Sequence, residues 1–224
     1  MAELSCEAKR QRAATMTQIF HVHPQTPQRR LIGQAVSMLR AGALVVYPTD
    51  SSYALGCTMT NKAAQTRIRR IRGIDESHYL TLVCRDLSEL ALYAKVENSA
   101  FRLLRAHTPG PTTFILKATH DVPKRLQDSR RRSIGLRVPD HPVAQAILET
   151  LGEPLLSTTL RLPEDELALS DPDDFAARIA KQVDLVIESG ACGIEATSVV
   201  DLSDGLPVIV RRGLGDVSAF EPAD

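Results

Sequence analysis

The chain has 224 residues and carries 27 Lys and Arg against 27 Asp and Glu, so its formal net charge is zero. Hydrophobic residues make up 43% and charged residues 24%, which is typical of a globular protein and excludes a disordered, collagen-like or coiled-coil chain. No apolar run approaches the roughly 20 residues that a transmembrane helix needs. Strand-like and helix-like segments alternate from residue 18 onward.

Short apolar runs predict strands, and N-cap residues followed by helical spacing of apolar residues predict the helices between them. The predicted strands are 18–22, 43–47, 53–57, 80–84, 113–117, 133–138, 155–159, 183–187, 197–202 and 207–211. The predicted helices begin at or after Thr26, Asn61, Asp86, Asn98, His141 and Asp171. These segments predict one α/β domain over residues 16–224, with a twisted sheet of about eight strands. Residues 1–15 are expected to be a polar tail, and Met16 is an alternative start.

The charge is unevenly distributed along the chain. Residues 1–160 carry 22 basic and 13 acidic residues, a net charge of +9, whereas residues 161–224 carry 5 and 14, a net charge of −9. This asymmetry favours an anionic partner for the basic part, and an ordinary solvated surface is the simpler alternative. The four cysteines have no Cys-x-x-Cys spacing and no secretory signal precedes them, which predicts reduced thiols, no cysteine-based zinc site and a cytoplasmic protein.

Polar side chains follow the second predicted strand in the segment YPTDSSY, residues 47–53. Ligands of open α/β sheets bind outside the carboxyl ends of strands, so Thr49 and Asp50 are candidates for a small polar ligand. An ordinary surface turn has the same composition. Arg137 lies in the apolar run 133–138, where a charge needs a partner, and a bound carboxylate would be one.

Three further segments are candidates for binding anions. Four arginines fall within residues 67–72, and arginine binds phosphate and carboxylate through two nitrogens at once. The basic residues 124–132 are expected to face solvent, where they either contact a nucleic-acid backbone or only increase solubility. The segment 211–215, RRGLG, predicts a turn whose backbone amides approach phosphate, although it is not a P-loop.

Several motifs, in one order, resemble the YrdC/YciO family, also called the threonylcarbamoyl-AMP synthase family. They are residues 47–56 (YPTDSSYALG), 108–114 (TPGPTTF), 134–142 (IGLRVPDHP), 197–201 (TSVVD) and 210–213 (VRRG). Together they extend over nearly the whole chain, and the match is closest to the YciO branch. The resemblance implies an open mixed sheet curved around a deep basic cavity.

The resemblance also implies an enzyme that joins L-threonine, bicarbonate and ATP into threonylcarbamoyl-AMP and releases pyrophosphate. That product serves the modification of an adenosine in tRNA, and the family is also described as binding double-stranded RNA. ATP is then a substrate, Mg²⁺ is expected to arrive with it, and no protein-bound metal is expected. The sequence gives no oligomeric state.

Site residues are carried over from the family by position. L-Threonine is assigned to Thr49, Arg137 and Thr197. ATP is assigned to Arg72, Ser133, Thr158 and Arg211, with Arg72 and Thr158 as the catalytic residues. The RNA assignment comes instead from the basic segments 67–72 and 124–132, and its residues are Arg69, Arg70, Arg130, Arg131 and Arg132.

Two positions depart from the family pattern. Ile74 stands where a second basic residue is usual, and Leu160 stands where an asparagine is usual. Losing both polar groups predicts weak or altered synthase activity, unless Arg69, Arg70 or Arg161 replaces them. The alternatives are an RNA-binding protein without catalysis and a synthase of another adenylate whose pocket Ile74 and Leu160 reshape.

Overall fold

Ten strands form one open mixed sheet in the computed structural model, which describes residues 16–221. The predicted tail of residues 1–15, and residues 222–224, lie outside the described residues. The strands are β1 (Gln18–His21), β2 (Val45–Pro48), β3 (Tyr53–Thr58), β4 (Thr81–Val83), β5 (Thr112–Lys117), β6 (Ser133–Arg137), β7 (Leu155–Thr159), β8 (Leu185–Glu188), β9 (Ser198–Asp201) and β10 (Val208–Arg211). Each lies within a predicted segment or overlaps one, although the sheet has ten strands where about eight were expected.

The order of the strands across the sheet is β1-β8-β2-β3-β7-β4-β6-β5-β9-β10. Four neighbouring pairs are parallel: β1 with β8, β2 with β8, β4 with β6, and β5 with β9. The other five pairs are antiparallel. The sheet is therefore mixed, and its order brings together segments that are far apart in the chain.

Six α-helices connect the strands of the described region. They are α1 (Arg29–Arg40), α2 (Lys62–Arg72), α3 (Leu87–Tyr93), α4 (Asn98–Ala106), α5 (Pro142–Leu151) and α6 (Pro172–Ile179). Within residues 16–221, no helix is both long and apolar enough to cross a bilayer.

The predicted N-caps are partly confirmed. The side chains of Asn61, Asp86 and Asp171 accept hydrogen bonds from the first-turn amides of α2, α3 and α6 at 2.8–3.0 Å. Thr26 does not cap α1, which begins three residues later. Its backbone amide instead donates to Nδ1 of His23 at 3.1 Å. Asn98 is the first residue of α4 rather than its cap.

The helices cover the two faces of the sheet unequally. α2, α3, α4 and α6 contribute Ile68, Leu90, Leu104 and Phe175 to a core on one face. On the other face, α1 and α5 pack against β2, β3 and β8 and build a second core. The part of this second face formed by β4, β5 and β6 carries small or polar side chains, and this part contains the site described below.

Arg67 on α2 joins that helix to the segment before β8. Its guanidinium donates to both carboxylate oxygens of Asp184, at 2.7 and 3.1 Å, and to the carbonyl of Gln182 at 2.8 Å. Asp184 also accepts from the amide of Leu44 at 2.7 Å. Of the four clustered arginines in residues 67–72, Arg67 is thus occupied by a structural contact rather than free to bind an anion.

We expect Arg67→Ala to lower the free energy of unfolding by about 1–2 kcal/mol, since a half-buried, two-nitrogen ion pair is lost. Arg70→Ala is the matched control, because Arg70 is an exposed arginine on the same helix. Its effect should remain within about 0.5 kcal/mol. Urea denaturation measures both, and equal losses in the two variants would contradict this account.

Candidate functional site

A cleft that opens to solvent lies on the face of the sheet that α1 and α5 leave uncovered. Its floor follows from strand register: Thr81, Gly135 and Ser157 stand opposite one another on the adjacent strands β4, β6 and β7. Side chains of paired residues point to the same side of a sheet, so the row presents hydroxyls and an open glycine position. The lining residues include Tyr47, Thr49, Ser51, Ser52, Thr81, Thr113, Arg137, Ser157, Thr158, Thr159 and Thr197.

The turn after β2 has an ordered internal hydrogen-bond network. Oγ1 of Thr49 donates to the carbonyl of Ser52 at 2.6 Å and accepts from the amide of Ser51 at 3.3 Å. Gly193 packs against this turn, where an added Cβ would come within 2.5 Å of the Ser51 carbonyl. The hydroxyls of the turn are therefore held in place before any ligand binds.

Arg137, at the end of β6, is only 7% exposed, and its guanidinium is engaged by the protein itself. Nη2 forms an ion pair with Asp50, Nη1 donates to Oγ of Ser51 at 3.1 Å, and Nε donates to the carbonyl of Gly110 at 3.3 Å. Burial lowers the pKa of Arg137, and the carboxylate of Asp50 opposes that shift. The expected carboxylate partner of Arg137 is therefore already present as Asp50, and a substrate carboxylate would have to displace it.

Asp50 is the residue that the sequence analysis placed at the ligand but did not pair. Its second carboxylate oxygen, Oδ2, is buried and has no hydrogen-bond partner among the described residues. An unpaired buried acceptor costs about 1–3 kcal/mol. One oxygen of the Asp50 carboxylate therefore holds Arg137, and the other oxygen accepts no hydrogen bond from the described residues.

Three arginines, Arg72, Arg161 and Arg211, lie beside the cleft. Nη1 of Arg72 donates to the backbone carbonyl of Arg161 at 2.7 Å, and Arg161 follows β7, whose last residues line the cleft. Arg211 donates to the carbonyl of Thr197 at 2.9 Å and to its Oγ1 at 3.1 Å. Arg211 thus contacts the cleft lining through Thr197, whereas Arg72 is linked to it only through the backbone of Arg161, two residues after Thr159.

Most of the predicted site residues converge, but Ser133 does not. Thr49, Arg137, Thr158 and Thr197 all line the cleft. Ser133 is buried at the opposite end of β6 from Arg137 and is not part of the lining.

The two departures from the family pattern do not line the cleft either. Leu160 is fully buried in the core on the opposite face, and Ile74 packs against that core. The hypothesis that these two residues reshape the pocket therefore finds no support in the structure.

Two amides of the predicted phosphate-binding turn at residues 211–215 already have partners within the protein. The amide of Gly213 donates to Oγ of Ser198 at 2.9 Å, and the amide of Leu214 donates to the carbonyl of Ala196 at 2.9 Å. An added Cβ on Gly213 would lie 2.2 Å from that same carbonyl. The glycine is needed for close packing of two backbones, and these amides are already used.

The residues assigned to RNA lie outside the cleft lining. Arg130, Arg131 and Arg132 are exposed in the turn before β6. Arg131 is paired with the buried carboxylate of Asp201, whereas the side chains of Arg130 and Arg132 have no hydrogen-bond partner within residues 16–221. On α2, Arg70 is exposed, and Arg69 donates to the carbonyl of His78 at 2.9 Å. In the described part of the chain, no group of three or more His, Cys, Asp or Glu is placed to hold a metal ion.

We expect Arg137→Gln to lower the free energy of unfolding by about 3–5 kcal/mol, because it leaves the Asp50 carboxylate buried without its cation. Adding Asp50→Asn to that variant removes the uncompensated charge and should restore at least about 1 kcal/mol of the loss. Urea denaturation of the wild type, both single variants and the double variant measures the coupling. Strictly additive losses would rule out the pair as the main stabilising contact of Arg137.

Comparisons with known proteins agree with this architecture. The model of the Sua5/YciO/YrdC domain, described as telomere recombination, matches residues 37–213. Escherichia coli YciO, an uncharacterized protein, is 55% identical over 205 residues, which are 92% of this chain and all of that protein. A crystal structure of E. coli YciO has a TM-score of 0.89 at 54% identity and covers 92% of this chain and 100% of that one.

The names of two more distant relatives state an activity or a bound ligand. Threonylcarbamoyl-AMP synthase of Vibrio cholerae is 27% identical over 183 residues, which cover 80% of this chain and 96% of that protein. The crystal structure of P. abyssi Sua5 complexed with L-threonine has a TM-score of 0.80 at 24% identity, covering 88% of this chain and 58% of that one, and it shows the shared fold. The chain belongs to the Sua5/YciO/YrdC family and is homologous, at the level of that family, to threonylcarbamoyl-AMP synthases.

Proposed function

We propose that this chain binds L-threonine, bicarbonate and ATP in its cleft and forms threonylcarbamoyl-AMP with release of pyrophosphate. The observation that carries the proposal is that Arg137 and three threonines line one cleft, with Arg211 bound to one of these threonines, Thr197. The similarity to named synthases supports the same reaction. Use of the product in tRNA modification, in the cytoplasm, belongs to the proposal as well.

The chemistry needs cations more than a nucleophile. The amine of threonine and bicarbonate give a carbamate and water. A carbamate oxygen then attacks the α-phosphorus of ATP, and pyrophosphate leaves. Three anions meet in one place, so catalysis consists mainly of positioning them and neutralising their charge. Arginine residues suit both tasks.

The proposed roles follow the resemblance to the family, position by position. Thr49, Arg137 and Thr197 hold L-threonine, whose carboxylate replaces Asp50 on Arg137. Arg72, Thr158 and Arg211 hold ATP, with Arg72 and Thr158 nearest the reacting phosphate. Mg²⁺ arrives on the phosphates of ATP. An ATP contact of Ser133 lacks comparable support, because that side chain is buried away from the cleft.

The Asp50–Arg137 pair implies a weak affinity for threonine. All three nitrogens of the Arg137 guanidinium already have partners within the protein, so binding a substrate carboxylate exchanges one ion pair for another. Only the difference in free energy between the substrate–Arg137 pair and the Asp50–Arg137 pair contributes to the binding of threonine. We therefore propose a high KM for threonine.

The test is pyrophosphate release at high enzyme concentration, with threonylcarbamoyl-AMP identified by mass spectrometry. We expect release that requires L-threonine, bicarbonate and ATP together. Arg72→Gln should lower the rate at least about 100-fold, because a cation at the reacting phosphate is lost. Arg130→Gln, an exposed arginine outside the cleft, is the control and should retain the wild-type rate. An unchanged rate of pyrophosphate release after threonine or bicarbonate is left out would overturn the proposal.

A non-catalytic RNA-binding protein is the second candidate, favoured by the exposed and unpaired side chains of Arg130 and Arg132. If this surface binds double-stranded RNA, changing both arginines to Gln should reduce the slope of log K against log salt by about 2. Filter binding at several salt concentrations measures the slope. An unchanged slope would exclude this surface, and the same double variant should leave adenylate formation intact.

A further inference from the structure

The last strand, β10, lies at one edge of the sheet and exposes apolar side chains. Within residues 16–221 it pairs with β9 alone, so its outer edge has no partner there. Val208 and Val210 are each 58% exposed, and Leu206, which directly precedes Pro207, is 81% exposed. Edge strands of monomeric proteins are usually protected by charged side chains that prevent pairing with another chain. The outer edge of β10 is instead suited to such pairing.

The strand at the opposite edge, β1, has a different surface. Its exposed residues Gln18 and His21 are polar, and His21 is paired with the carboxylate of Glu188 at 2.8 Å. Ile19 is the only exposed apolar residue of β1. The repeated exposed apolar pattern therefore distinguishes β10 from β1.

The hydrogen bonds of β9 show which backbone groups of β10 face outward. The amide of Leu202, directly after β9, donates to a carbonyl of β5 at 2.9 Å. Backbone groups of successive residues point to opposite sides of a strand, so those of Asp201 point toward β10. Val208 stands opposite Asp201, and its amide and carbonyl therefore face β9. The amide of Ile209 and the carbonyl of Pro207, one residue to either side, face the free edge.

The segment 204–212 is self-complementary about Val208. If two copies pair antiparallel with Val208 at the centre, each Val208 faces that of the other copy. Leu206 of each copy then faces Val210 of the other, so all the central contacts are apolar. Asp204 and Arg212 lie four residues to either side and are exposed, and this register places them opposite each other with opposite charges.

We propose that β10 is the interface of a homodimer, in which two copies of this chain pair antiparallel about a two-fold axis at Val208. The amide of Ile209 in each copy donates to the carbonyl of Pro207 in the other. Pro207 has no N–H, so the strands share few hydrogen bonds and the dimer is weak and reversible.

The dimer also determines how the two clefts are arranged. Ile209 packs against the core on the face covered by four helices, so Val208 lies on the face that contains the cleft. A two-fold axis perpendicular to the sheet leaves both clefts on the same side of one continuous sheet. The next residue but two after Val208, Arg211, contacts Thr197 in the cleft lining, so the interface lies beside each cleft.

The first test is sedimentation velocity of the full chain over a range of concentrations. We expect reversible dimerisation with a Kd of about 10–100 µM, as a small interface gives. Val208→Lys should weaken the dimer at least about tenfold, because two like charges would meet at the axis. Leu92→Lys is the matched control, since Leu92 is an exposed leucine on α3, and it should leave the Kd unchanged.

Disulfide trapping tests the register. Opposite residues at a position without hydrogen bonds have Cα atoms about 4.5 Å apart, which a disulfide can span. Val208→Cys should therefore form a covalent dimer under mild oxidation. Ile19→Cys, on the other edge strand, is the control, and wild-type protein reports cross-linking by the native cysteines.

Three results would show that the proposal is wrong. They are a wild type that remains monomeric at about ten times the expected Kd, a dimer that Val208→Lys leaves unchanged, and a Val208→Cys variant that cross-links no faster than Ile19→Cys. Because Val208 is exposed, its substitutions should leave the thermal unfolding temperature unchanged. None of these measurements uses adenylate formation, so their outcome is independent of the proposed reaction.

Discussion

The buried ion pair between Arg137 and Asp50 is the contact on which the site depends. Arg137 stands in a sheet next to apolar strands, where an unpaired charge would cost several kcal/mol. Asp50 neutralises it, and Ser51 and the carbonyl of Gly110 use its remaining nitrogens. The guanidinium thereby joins β6, the turn after β2 and the loop before β5. These segments border one end of the cleft, so the buried charge of Arg137 holds its surroundings together.

The second constraint is that the helices on one face of the sheet cover only part of its width. α1 and α5 cover β2, β3 and β8, and their apolar contacts form a core there. Beyond these strands, an apolar side chain on the same face would be exposed to solvent. Thr81, Thr113 and Ser157 occupy these positions instead. Hydroxyls on rigid strands form a floor that does not collapse, because their backbone is fixed by the ladder of the sheet and their side chains are short. The opposite face has no such gap, and it is packed by four helices.

Local features of the fold were predictable from the sequence, whereas contacts between distant segments were not. Asn61, Asp86 and Asp171 cap helices through amides two or three residues away, so their role is visible in a short window. Thr26 fulfils the same pattern but is close to His23, whose ring accepts its amide. Asp50 and Arg137 are 87 positions apart, and only the strand order brings them together. The sequence analysis placed each residue at a site, Asp50 after a strand and Arg137 by the family resemblance, but spacing alone could not pair them, because it contains no information on strand order. The glycines at 213 and 215 show the same limit, since a close approach of two backbones requires glycine as strictly as a phosphate does.

Net charge is a poor guide to this site because the field that a ligand experiences is local. Arg161 and Arg211 belong to the segment with a net charge of −9, and Arg72 and Arg137 to the segment with +9. Within residues 16–221, neither Arg161 nor Arg211 is in a salt bridge, although Arg178 and Arg212 of the same segment are. At physiological ionic strength, exposed charges more than about 8 Å away are largely screened, so distant carboxylates hardly weaken the attraction of a phosphate. A neutral chain can therefore keep a strongly cationic site, provided that its carboxylates are bound elsewhere. Asp50, whose neighbours Thr49 and Ser51 line the cleft, is itself bound to Arg137 and so adds little repulsion toward an anion.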